Sequence, residues 1–124
     1  MREGIFQRAL EIALNAPTRA TTRAWRQNSG ELVIEQGGVR RRVRLAPPGS
    51  GDIVVIVKGG LYVEIETKAS RGKLRDAQKA RAKWLNSWGA LHVSVRPQTK
   101  DIGESVRLAM EVIDAAIARR MEER

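Results

Sequence analysis

The chain contains no cysteine, which excludes a disulfide framework, cysteine-based zinc sites and thiol catalysis, and fits a reducing compartment. It also lacks any apolar run long enough to span a bilayer. The opening MREGIFQRALEIALNA places charges at Arg2, Glu3, Arg8 and Glu11, where a signal peptide needs an unbroken apolar core. A soluble, cytoplasmic protein is the expectation. Internal repeats, low-complexity tracts and linkers are absent, so residues 1–124 read as a single domain, large enough to fold without staples. The Gly-Gly and PGSG segments lack Walker spacing and do not point to nucleotide binding. Histidine occurs once, and His92, alternating away from Leu91, Val93 and Val95, reads as an ordinary face residue rather than a ligand.

What the chain has in excess is positive charge: 23 Lys and Arg against 14 Asp and Glu leave +9. Such a surface favours a polyanion, nucleic acid first. Charge alone does not separate a phosphate binder from a merely basic protein. The arginines of GVRRRVRLA tilt the balance, because guanidinium forks match phosphate oxygens.

Hydrophobic spacing predicts a helix from Arg2 to about Asn15, with Ile5, Ala9, Ile12 and Ala13 as its stripe and Phe6 and Leu10 widening it. A strand follows in TTRAWRQNSG, then two short strands around Gly37-Gly38. In the second of these, Val39, Arg41, Val43 and Leu45 alternate with Arg40, Arg42 and Arg44, giving one cationic face. That face is either a nucleic-acid contact or a charged, aggregation-resistant edge. DIVVIV reads as a strand buried on both faces near the sheet centre. KLRDAQKARAKWLNSWG predicts a helix with Leu74, Ala77, Arg81, Trp84, Leu85 and Trp88 at helical spacing. Trp84 and Trp88 are expected as core anchors or a dimer contact rather than a base-stacking platform. ALHVSVR is a further strand, and the last segment is a helix opened by Asp101 and Glu104 in capping-box spacing. Its stripe comprises Ile102, Val106, Ala109, Met110, Ile113 and Ile117, of which Met110, Ile113 and Ile117 are available for a symmetric contact unless covered. The expected fold class is α/β, a small mixed central sheet flanked by helices.

The stretch VEIETKASRG carries the chemistry. Glu64, Glu66 and Lys68 project from one side of a strand. The three-residue connection Lys58 to Gly60 predicts an antiparallel hairpin with DIVVIV. If Val57 pairs with Leu61, Asp52 stands opposite Glu66, Cβ atoms about 5 Å apart; a two-residue turn makes them diagonal neighbours. Paired carboxylates repel, and either Lys68 or a hard divalent cation can offset the cost. On the charges alone, a salt-bridged strand end is the simpler reading. Glu64 is expected to pair with an arginine or a helix N-terminus.

Asp52 in PGSGD, Glu66 and Lys68 in IETK, Gly72 four residues beyond the lysine, and Gln78 six beyond that glycine together resemble the virus-type replication-repair nuclease (VRR-NUC) domain of the PD-(D/E)XK nuclease superfamily. RQNSG resembles the family's Arg-x-Asn-x-Gly segment, and REGIFQ its first helix, which brings an acidic residue and a glutamine. The resemblance covers nearly residues 3 to 96, with Gly51 where the strict pattern has proline. It implies a restriction-endonuclease-like core and Mg²⁺ or Mn²⁺ held by Asp52, Glu66 and the Thr67 carbonyl. It makes Lys68 the catalytic lysine, Gln78 an orienting residue and Glu3 the acid of the first helix, with Glu11 as the alternative. The implied activity is metal-dependent DNA endonuclease action on branched DNA such as Holliday junctions or flaps, in DNA repair, by a homodimer. Arg40, Arg42, Arg44, Lys73, Arg75 and Asn28 are the candidate DNA contacts. The rival expectations are a noncatalytic basic nucleic-acid-binding module and a structural protein with a salt-bridged strand end.

Overall fold

The computed structural model describes residues 3–27, 31–44, 50–69 and 72–124, with only the backbone given at 3, 31, 32 and 44. In chain order the elements are α1 (Glu3–Leu14), β1 (Thr22–Arg26), β2 (Glu31–Gln36), β3 (Val39–Arg44), β4 (Ile53–Val57), β5 (Leu61–Thr67), α2 (Asp76–Ser87), β6 (Leu91–Val95) and α3 (Ile102–Glu122). A mixed four-stranded sheet in the order β1-β4-β5-β6 forms the centre. β4 and β5 make the expected antiparallel hairpin, with Val57 opposite Leu61. β5 and β6 run parallel, which requires a crossover, and α2 supplies it.

The alternation of β5 divides the sheet. Leu61, Val63 and Ile65 join Ile53, Val55, Val57, Leu91, Val93 and Val95 against α1 and α3, forming the apolar core. α3 contributes Ala109, Ile113 and Ile117, so the stripe offered for a symmetric contact is covered by the chain's own sheet. Asp101 caps α3 by accepting from the Glu104 N–H, whereas the Glu104 carboxylate turns to Arg107 instead of completing a capping box. α1 rotates differently from its expected stripe: Phe6, Leu10 and Leu14 are fully buried, while Ile5 is 54% and Ile12 62% exposed. Phe6 and Leu10 therefore lead the core stripe instead of widening it, because the bulkier face fills the space between sheet and α3.

The other face of the sheet carries Val54, Ile56, Tyr62, Glu64, Glu66, His92 and Ser94. α2 covers its β5–β6 half, where Gln78 and Leu85 are the buried residues of the helix. Trp84 and Trp88 are exposed, not core anchors, because the sheet beneath this helix presents carboxylates and the helix answers with Gln78 and Arg81. Ile56, on β4 outside the half that α2 covers, is likewise exposed, although Val54 on the same face is buried.

β2 and β3 form a separate two-stranded sheet. Gly37 and Gly38, at φ +58° and +79°, make a two-residue turn that needs positive φ at both positions. The cationic face of β3 is mixed by its partner: Glu35 lies opposite Arg40 and Glu31 opposite Arg44. No helix among the described residues is long and apolar enough to cross a membrane.

Candidate active site

The β4–β5 pairing ends at Ile53 opposite Ile65, and Asp52 and Glu66, the next residue on each strand, lie at the open end of the hairpin close enough for the Asp52 charge to act on Glu66. The Asp52 N–H still donates to the Ile65 carbonyl, but the next bond is taken by the Asp52 side chain instead of its backbone. Asp52 Oδ2 accepts from the Thr67 N–H at 2.9 Å and from the Thr67 hydroxyl at 3.0 Å. Gln7 of α1 donates to that same hydroxyl at 3.1 Å, tying the first helix to the site. Thr67 thus enters through its N–H and hydroxyl, as the anchor of Asp52.

Glu66 is buried and held from two sides. Gln78 Nε2 donates to Glu66 Oε1 at 2.6 Å, and Lys68 Nζ lies 3.4 Å from that oxygen. Gln78 is itself oriented by the Arg75 N–H, which donates to its Oε1 at 2.8 Å. The second carboxylate oxygen, Glu66 Oε2, is buried and has no hydrogen-bond partner among the described residues. Burial, then the neighbouring Asp52 charge, push the Glu66 carboxyl up to about 7 against the pull of Lys68. An orphaned buried carboxylate oxygen is costly, so this arrangement demands a proton or a cation.

Glu64, one row deeper, finds the arginine expected for it. Arg81 grips it through Nη2 at 2.7 Å and Nε at 3.2 Å. The Tyr62 hydroxyl donates at 2.6 Å and the Gly51 N–H at 2.9 Å. Although burial opposes ionisation, Arg81 and these donors hold the Glu64 carboxyl below its ordinary range, while desolvation and Glu64 push the Tyr62 phenol up to about 12. A Cβ at Gly51 would sit 3.0 Å from Glu64 Cβ and 3.1 Å from the Ile65 carbonyl, so glycine here permits the chain to reach Asp52. His92, opposite Glu64 on β6, is half-buried with Nε2 unpartnered, and desolvation lowers its pKa.

No family model, curated protein or solved structure matches this chain.

Sequence reasoning missed Arg81 and Tyr62. Arg81 reads as part of an apolar stripe, although its place three residues after Gln78 is the signal that both face β5. Lys73 and Arg75 are exposed just ahead of α2, and Arg75 is close to the site through its N–H bond to Gln78. Arg40 and Arg42 lie on β3, in the separate hairpin. Glu11, the alternative acid, accepts from the Arg26 N–H at 3.0 Å and so ties α1 to β1. Asn28 and the side chains of Glu3 and Arg44 fall outside the described residues. Among the described residues no group of three or more His, Cys, Asp or Glu converges as a metal cluster. Two carboxylates, one with a free buried oxygen, nevertheless suit a hard cation that keeps several waters.

Proposed function

We propose that the chain is a metal-dependent DNA endonuclease with a restriction-endonuclease-like core of the VRR-NUC type. The observation that carries this reading is the orphaned Glu66 Oε2 beside Asp52, with Lys68 Nζ 3.4 Å from the other oxygen. Asp52 and Glu66 would hold Mg²⁺ or Mn²⁺, with the Thr67 carbonyl as a further ligand. When bound, the ion supplies Lewis-acid activation of water and of a phosphodiester oxygen. Gln78 fixes Glu66 through Oε1 and leaves Oε2 for that role. Thr67 fixes Asp52 through Oδ2. Lys68, a compact cation at the same carboxylate, stabilises negative charge developing on the phosphoryl group. Gln7 holds Thr67, the part that the glutamine of the first helix plays in this reading. Lys73 and Arg75, exposed just ahead of α2, and Arg40 and Arg42 on the hairpin track the phosphate backbone, which gives affinity without sequence preference.

The test is incubation of the wild type, Asp52→Ala and Lys68→Ala with linear, flapped and four-way DNA in Mg²⁺, Mn²⁺ or chelator. Cutting that needs metal, prefers branched DNA and is lost in both variants is the expected result. A noncatalytic basic module is favoured by the pairing of only two acids among the described residues. It predicts salt-sensitive DNA binding in all three proteins and no cutting in any metal. The homodimer is tested by light scattering, a dimer mass being expected.

A further inference from the structure

All three tryptophans of the chain are exposed: Trp25 by 49%, Trp84 by 41% and Trp88 by 76%. They share one side of the molecule. Trp25 lies opposite Val54, and Val54 opposite Glu64, so Trp25 stands in the outer row next to the Asp52–Glu66 row, about 7 Å along the strand. On α2, Arg81 reaches Glu64 on β5, whereas Asn86 accepts from the His92 N–H on β6. Helical geometry puts Trp84 and Trp88 on the Arg81 flank, turned toward the β1–β4 half of the sheet, where Val54 is buried and Ile56 exposed. Their rings lie 4.9 Å apart, tilted by 46°, and the Arg81 guanidinium sits 4.8 Å from the Trp84 ring centre.

Three partly exposed tryptophans beside a buried carboxylate pair, Trp84 with one face already on Arg81 and the other surfaces open, call for a ligand with flat faces. The charge of this side sets its sign. Its buried acid Glu64 is already matched by Arg81. At the far end of the β1–β4 pair, a cavity of about 270 Å³ is lined by Thr21, Arg23, Ile56 and Lys58 among others. Aromatic faces with cations beyond them fit unpaired bases joined by phosphates, the pattern of single-strand recognition.

We propose that this outer face is a stacking platform for an unpaired nucleotide strand, with bases on Trp25, Trp84 and Trp88 and the backbone running from the carboxylate pair toward Lys58. The strand's destination rests on the nuclease reading; its recognition does not. The branched substrate is then one with a single-stranded arm, held by stacking and led to Asp52 and Glu66.

The test separates the two by working in chelator. Binding of a short oligothymidylate and of a blunt duplex is followed by anisotropy of the labelled DNA and by quenching of the protein's tryptophan emission. The wild type should show quenching with the oligothymidylate, and Trp88→Ala and Trp25→Ala should each lower the ratio of single-strand to duplex affinity by about tenfold. Trp84→Phe should keep most of that ratio and Trp84→Ala should lose it, which separates stacking from a folding defect. Absent quenching, or a ratio unmoved by all three alanine variants, overturns the platform. So does light scattering that shows Trp88→Ala converting a dimer to a monomer with single-strand affinity intact, which assigns the patch to a second copy. Loss of the nuclease reading, seen as no cutting in any metal, leaves quenching and ratio as they are.

Discussion

Beyond the half-buried Tyr62, the two faces of β5 are equally buried and chemically opposite. Leu61, Val63 and Ile65 point to α1 and α3, while Glu64 and Glu66 point the other way, with Glu64 0% and Glu66 3% exposed. On the inner face burial is favourable in itself, about 25 cal/mol per Å² of apolar surface. On the outer face it is a cost, offset one bond at a time by Arg81, Tyr62, Gly51, Gln78 and Lys68. At Glu66 Oε2 no donor among the described residues offsets it. A strand can thus use one side for stability and spend it on the other to keep a reactive group dry.

Breaking the inner face should have the largest effect. Phe6→Ala, at a fully buried position, is expected to lose about 4 kcal/mol in urea denaturation. Next comes the buried ion pair of the outer face: Arg81→Ala strands the Glu64 charge and should cost about 3 kcal/mol. The double change Glu64→Leu with Arg81→Met should recover part of that, because the ion pair itself has little net energy while the Tyr62 hydroxyl and the Gly51 N–H lose their acceptor.

The third test reverses the sign. The Glu66 carboxyl titrates at about 7 in the fold against 4.5 in the unfolded chain. The folded state therefore binds the extra proton in that window, and in chelator stability should fall as pH rises through it, by roughly 3 kcal/mol at most. Glu66→Gln should flatten this slope and be the more stable protein at pH above 7 without metal. A divalent cation, which binds the ionised form, should stabilise the wild type there and leave the variant unmoved, as read by thermal melts. The smallest effect belongs to the exposed side of α1: Ile12→Lys should change stability by less than about 0.5 kcal/mol.

Legibility of the sequence followed the strength of local constraint. The hairpin register was legible because a short connection between two β-branched runs leaves few pairings, and Val57 does face Leu61. That register points Asp52 toward Glu66, and the Thr67 N–H and hydroxyl fix its carboxylate there. The Glu64 partner was legible in kind, since a carboxylate on an apolar strand needs a cation, but its identity depended on where α2 lands. The helix stripes were less so. In α1 the spacing of Ile5, Ala9 and Ile12 competes with that of Phe6, Leu10 and Leu14, and only the shape of the gap under the sheet chooses between them. In α2 two tryptophans at helical spacing look like core, and they are outside because the strand beneath is acidic.

By itself, then, the sequence determined the elements, the hairpin register and the meeting of two acids with a lysine, all consequences of alternation and short connections. Tertiary structure decided which helix face is buried, that Gln78 and Arg81 descend on Glu66 and Glu64, and that one carboxylate oxygen is left without a partner. Those outcomes depend on how α2 packs across β5 and β6. Packing between elements distant along the chain is fixed by shape and solvation, and no local spacing encodes it.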